Sequence, residues 1–425
     1  MQVKEPKIRE YLWSIIGLLA YKISLDSVYI QIISPLFEYA DFFNQYSLLK
    51  SIVCYLFLII ISPYITKLYN NKNIVFSYLV IFLTLFSFIP NLTIITYNPL
   101  PSGYLILWII YWTLFFLACK YLPYPKVSHI QSKSDKTLYI YLIILSGSVL
   151  FVSGVYTGFR LHFNLLDVYG IRAESKEYNY PGIFSYIIPA AGTILPIILL
   201  YFLEKKKILL SFLIILVIIL NFSIGGHKAV LVSLIVTVIF FFFYRNYMIK
   251  LVSWIMTSLG IISIIEYHVG GTFYIGTLFI RRVLFLPAQL NLRYYEFFTT
   301  NIPDFFRQSF LRHLGLTSPY KDPLPLVIGE LYYGPNCAAN NGLFSDAIQN
   351  LGIIGIVIFP FLIVMILKLI ASFSKGIATK YAIVPCIMIS IALLSTTLMT
   401  ALLTSGIVFV MYLFYVFPRD SEING

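Results

Sequence analysis

The sequence predicts an all-α, polytopic membrane protein with about 12 transmembrane helices, and three observations carry that expectation. Of 425 residues, 59% are hydrophobic and only 11% are charged. Apolar runs of about 20 residues recur along the whole chain, the length that crosses roughly 30 Å of hydrocarbon at 1.5 Å per residue. Tyr and Phe are abundant, 34 and 36 residues, as lipid-facing surfaces and interfacial belts require. No soluble core could bury so much apolar surface, and residues 1–425 read as a single integral membrane domain.

The first run, near 11–33, carries Lys22 and Asp26, lacks a small-residue cleavage site and leads straight into further runs. It reads as a first span and not as a cleaved signal peptide. Lys22 and Asp26 stand one helical turn apart, so mutual neutralisation inside the bundle is their simplest reading. Further spans are expected near 47–66, 74–95, 103–122, 137–157, 184–203, 208–224, 228–244, 251–268, 352–373, 381–399 and 401–417. No polar loop separates the last two, and Thr400 to Ser405 marks either a loop or a break in one helix. Gly225 and Gly226, before His227 and Lys228, form a tight turn in which glycine permits positive φ. Cys54, Cys119, Cys337 and Cys386 lie far apart with no CxxC pairing, which indicates neither a disulfide framework nor a zinc site.

Basic residues give the orientation, because they concentrate on the cytoplasmic side of short loops. With the amino terminus inside, 18 of the 30 basic residues fall in inner segments, and 15 of those 18 are Lys. Both termini are then cytoplasmic. The other 12 include seven arginines, Arg160, Arg172, Arg281, Arg282, Arg293, Arg307 and Arg312. Inner Lys needs only to be positive, whereas the planar guanidinium fork offers paired bonds to phosphate or carboxylate. Arginines on an outer face therefore point either to an anionic ligand or to nearby Asp and Glu partners.

These arginines sit in the two long outer segments, 158–183 and 269–351. Long connections in a compact membrane protein are usually functional. The second is too apolar for a disordered tail, and Phe279–Leu292 and Tyr294–Phe298 read as amphipathic helices lying in the interface.

Several short segments carry a family resemblance. Leu25 and Asp26 with Tyr29 and Ile33 to Pro35, Arg281 to Pro287 with Tyr294 to Phe298, and Ala339 to Gly342 with Asp346 and Asn350 to Gly355 resemble oligosaccharide repeat-unit polymerases of the Wzy type. The resemblance implies the membrane-embedded, C-type glycosyltransferase architecture. It also implies an enzyme of polysaccharide biosynthesis that joins undecaprenyl-diphosphate-linked repeat units into O-antigen, capsule or a related polymer. The site would face the periplasm from the bacterial inner membrane, with a chain-length regulator and a flippase as partners and no nucleic acid.

The residues agree with such chemistry. Arg172, Arg281, Arg282 and Arg293 are the candidates to hold the diphosphate as charge develops on it. Asp346 is the first candidate for the general base and Glu330 the second, with Glu296, Asp167 and His313 behind them. Asn340, Asn341, Tyr294 and His313 are candidate acceptor contacts. The outer loops contain no DxD, HxxxH or tight carboxylate cluster, so no metal or cofactor is expected. In the related O-antigen ligases a His stands where Asn341 stands here relative to Gly352, so that catalytic His has no counterpart. A ligase and a lipid-linked oligosaccharide flippase remain the competing readings.

Overall fold

The structure, a computed structural model, describes residues 8–127, 135–161, 174–175, 178–245, 247–309, 311 and 314–419. Among them there is no strand, and ten helices are long and apolar enough to cross a membrane. In chain order the helices are α1 (Ile8–Ala40), α2 (Leu48–Leu68), α3 (Ile74–Tyr97), α4 (Tyr104–Tyr121), α5 (Lys136–Thr157), α6 (Phe184–Glu204) and α7 (Ile208–Gly225). Then come α8 (Lys228–Phe243), α9 (Met248–Gly270), α10 (Gly276–Phe285), α11 (Leu286–Thr300), α12 (Leu324–Tyr333), α13 (Phe344–Phe373), α14 (Thr379–Ser395) and α15 (Leu398–Val416). Every expected span is largely helical, but residues 396–397 separate the last two, and the final one is two short pieces, Leu398–Leu403 and Ile407–Val416, parted where Gly406 turns at φ 83. Those expected at 228–244 and 381–399 are the shorter helices α8 and α14, of 16 and 17 residues.

The chain forms two compact units, residues 1–124, 247–368 and 390–398 in the first and the remainder in the second. At the centre of the first unit lies α3, whose apolar stretch is wholly buried. Its polar side chains do not break it, because they bond back to carbonyls one turn earlier. Thr84 Oγ1 donates to Val80 at 2.8 Å, Asn91 Nδ2 to Ser87 at 2.8 Å and Thr96 Oγ1 to Leu92 at 2.7 Å. That is how polar groups survive where no water reaches.

Lys22 and Asp26 pair as their spacing predicts, with Nζ 2.6 Å from Oδ2. The pair is better satisfied than the spacing alone implies: Tyr55 Oη donates to Oδ2 at 2.9 Å and Thr93 Oγ1 to Oδ1 at 2.8 Å. In the second unit α6 is central and packs against α5, α7 and α8. The glycine turn after α7 has the expected positive φ at Gly226.

The stretch 279–298 is helical, as expected, with α10 running directly into α11 at Phe285 and most of α11 buried. Asn291 on α11 donates to Asn91 Oδ1 of α3 at 3.1 Å, which ties this segment to the central helix. Residues 344–351 are helical and form the first two turns of α13, and Gly352 interrupts that helix at φ 58, ψ −143, at the boundary where the next span is expected to begin.

Candidate active site

The first unit gathers charged side chains of the 269–351 segment where α1 ends. After Pro35 the chain tightens into a 3-10 turn, Glu38–Ala40, and Asp41 closes it in the left-handed region at φ 66. That turn directs the Asp41 carboxylate to Arg293, Oδ2 to Nη2 2.5 Å. Arg293 also pairs with Glu296 one turn along α11 at 2.9 Å and stacks over Tyr332 of α12 at 5.0 Å. Gln289 Nε2 donates to the Asp41 carbonyl at 2.9 Å. Burial works against the Arg293 charge, but Asp41 and Glu296 more than offset it and hold the guanidinium above its usual range. Burial pushes the hydroxyls of Tyr332 and Tyr333 up to about 12, so both are neutral at physiological pH.

Arg281 and Arg282, about three turns earlier on the same helical stretch, are arranged differently. Neither forms an ion pair with any described residue. Arg281 lies over Phe37 at 4.2 Å, and its Nε, like that of Arg293, is buried without a hydrogen-bond partner, but no carboxylate among the described residues balances its charge. Burial lowers its affinity for a proton, and the neighbouring Arg282 charge acts in the same sense. Arg282 is exposed. An anion is the group this pair lacks, because it would relieve the repulsion and satisfy the orphaned donor together.

Arg307 and Arg160 have fixed roles or weak ones. Arg307 donates from Nε to the Asp304 carbonyl at 2.7 Å and from Nη2 to the Pro303 carbonyl at 3.0 Å, and so braces its own loop. Arg160, at the end of α5, is mostly exposed and only 4.0 Å from Glu174. Arg172, Arg312, Asp167 and His313 lie outside the described residues.

The carboxylates divide as well. Asp346 is 2% exposed. Its Oδ2 accepts the backbone N–H of Leu398, the first residue of α15, at 2.6 Å, and its Oδ1 accepts Asn350 Nδ2 at 2.7 Å. A carboxylate at a helix start satisfies an orphaned donor and the helix dipole together, so Asp346 clasps α13 to the beginning of α15. Glu330 is exposed on α12, one turn before Tyr333.

The candidate acceptor contacts separate in the same way. Asn340 is exposed, but Asn341 is buried and donates to the Pro287 carbonyl at 2.9 Å and Asn291 Oδ1 at 3.1 Å. Tyr294 is also inside, donating to the Ala339 carbonyl at 2.8 Å. Asn341 and Tyr294 hold the loop 339–343 on α11 and are closed off from the surface. Among the described residues, no three His, Cys, Asp or Glu side chains converge into a metal-binding group.

No family model, curated protein or solved structure matches the chain.

Sequence reasoning passed over Phe37, Asp41 and Tyr332. Asp41 carried a signal, since Glu38 and Asp41 put two acids in the short turn after the first span. Nothing in the sequence paired that turn with Arg293.

Proposed function

We propose that this chain is a glycosyltransferase that polymerises undecaprenyl-diphosphate-linked repeat units on the outer face of the bacterial cytoplasmic membrane. The observation that supports it most is the uncompensated pair Arg281 and Arg282, which has the charge and the donors that a lipid diphosphate needs. The acceptor hydroxyl oxygen attacks the donor's anomeric carbon while the bond to the diphosphate oxygen breaks, and the electron pair stays on the diphosphate. Cations already in position stabilise that growing charge without reorganising. Glu330 takes the hydroxyl proton. Among the first two candidates it is the one open to solvent, since both Asp346 oxygens are engaged inside the protein. Arg293, held by Asp41 and Glu296, fixes α11 and α12 against the end of α1.

Purified protein given a lipid-linked repeat unit should produce a ladder of polymer lengths. Transfer onto a lipid A core without a ladder would mark a ligase and overturn this reading. A transporter is favoured by one specific observation, the interruption of α13 at Gly352 within a span, because broken helices line many transport paths. Uptake of the lipid-linked unit into vesicles with no ladder would decide for transport. Orientation is tested separately. In a background without the four native cysteines, Thr317→Cys should react with an impermeant thiol reagent on intact cells, and Lys205→Cys only after permeabilisation.

A further inference from the structure

At the other end of the first unit, where α1 begins, α2 ends and α9 begins, there is a cavity of about 330 Å³. Arg9, Glu10, Trp13, Thr66, Tyr69, Asn70 and Lys250 line it. Two of its three charges cancel. Lys250 Nζ lies 2.7 Å from Glu10 Oε1, and Asn70 Nδ2 donates to Glu10 Oε2 at 3.4 Å. Arg9 is exposed and has no ion pair with any described residue. Among its described lining residues the cavity therefore carries one net positive charge, on a side chain built for paired bonds to phosphate oxygens.

The surroundings are those of a membrane boundary. Trp13 is 48% exposed, and its ring packs on Trp254 of α9 with centroids 4.8 Å apart. Indole rings collect at the headgroup level. Beside it on α1, Leu12 and Ile16 are 54% and 53% exposed, a bare apolar surface suited to acyl chains. The basic-residue bias assigns this end to the cytoplasmic leaflet.

We infer that this cavity binds the headgroup of one anionic glycerophospholipid, a phosphodiester monoanion of the phosphatidylglycerol kind, through Arg9 with Trp13 at the level of the glycerol. A single phosphodiester matches the single free charge. A lipid diphosphate carries more negative charge than the cavity can balance. A zwitterionic headgroup brings an ammonium that finds Glu10 already occupied by Lys250. The bound lipid would join α1, α2 and α9 at their ends, a role independent of the glycosyltransferase reading.

The test uses the purified full chain in mixed micelles, with lipid retention read by native mass spectrometry and unfolding by thermal melt. Phosphatidylglycerol should be retained and should raise the melting midpoint, whereas phosphatidylethanolamine and inorganic phosphate should do neither. Arg9→Ala should weaken phosphatidylglycerol retention about tenfold, the loss expected for one charge-assisted contact. Arg9→Gln should act in the same direction, and Arg307→Ala, at a residue that only braces its own loop, should leave retention unchanged. The inference is overturned if both Arg9 variants retain the lipid as the unmodified chain does. It is equally overturned if phosphatidylethanolamine is held as tightly, or if inorganic phosphate alone gives the full thermal shift.

Discussion

Arg281 and Arg293 sit on one continuous helical stretch and face the same end of α1, yet their surroundings are opposite. Arg293 has two carboxylates and an aromatic ring around it. Arg281 has an aromatic ring, a second arginine and no carboxylate among the described residues, and since the Nε of each is buried without a partner, counter-charge is what separates the two. A charge-balanced guanidinium contributes to architecture. One left without a counter-charge beside a like charge stays there at a cost, and that cost is recovered when an anion arrives. The same contrast separates Glu330, open to solvent, from Asp346, closed inside. Residue type alone predicts none of this, since the difference lies in what surrounds each charge.

The sharpest way to break the comparison is at the carboxylates. Glu330→Gln keeps shape but cannot take a proton, so polymer formation should fall roughly a thousandfold, with lipid-diphosphate binding retained. Asp346→Gln would be too long to interpret, so Asp346→Asn is the control, and it belongs with the smallest effects below. Normal turnover in Glu330→Gln would show that the base lies elsewhere.

Next in size are the unpaired arginines. Arg281→Ala and Arg282→Ala should each cost on the order of 3 kcal/mol in the transition state, about a hundredfold in rate. Lys at either position should recover only part of the loss, because it keeps the charge and loses the fork. Arg307→Ala, which removes carbonyl contacts within its own loop, should leave turnover per folded molecule nearly unchanged. Equal losses at Arg281 and Arg307 would erase the distinction between ligand-seeking and structural cations.

Arg293→Met should act on stability rather than on chemistry. It strands Asp41 and Glu296 beside each other. Both are partly solvated, so the loss should be roughly 2 kcal/mol, below that of a fully buried pair. A chemical melt in detergent would read it, and Asp41→Asn combined with Arg293→Met should recover part of the loss. Smallest is Asp346→Asn. The amide oxygen can still accept the Leu398 N–H, so about 1 kcal/mol of stability should go, with turnover within a few-fold of the parent. A collapse of turnover in well-folded Asp346→Asn would return the base to that residue.

Much of the fold was legible because the bilayer imposes a length, and an apolar run either meets it or does not. The ion pair of Lys22 with Asp26 was legible for a similar reason, since helical spacing brings i and i+4 together whatever else happens. The break at Gly352 was half legible. The apolar run does restart there, but the helix of residues 344–351 depends on a partner distant in sequence. Asp304 and Phe305 donate their N–H groups to the carbonyls of Gln349 and Asn350, at 2.8 and 3.0 Å, which the break leaves without partners. At the candidate site, arginines could be found by their violation of the charge bias, but not sorted. Sorting them requires knowing that Asp41 meets Arg293 and that no acid among the described residues meets Arg281, and those are facts of tertiary packing.

One feature of the loop 339–343 bears on how relatives of this chain could be found. A Cβ on Gly342 would stand 2.1 Å from the carbonyl oxygen of Leu393 and 2.4 Å from that of Thr396, and one on Gly329 would stand 2.1 Å from the carbonyl oxygen of Cys337. These neighbours are backbone and have nowhere to retreat, so every residue but glycine is barred from both places by volume alone. Lipid-facing positions can drift freely among Leu, Ile, Val and Phe until no alignment survives. These two glycines cannot drift without the backbone moving apart. A search keyed to a glycine in the middle of the short helix α12, and another just before the helix that opens the next span, would recognise this architecture after its apolar surfaces had diverged beyond comparison.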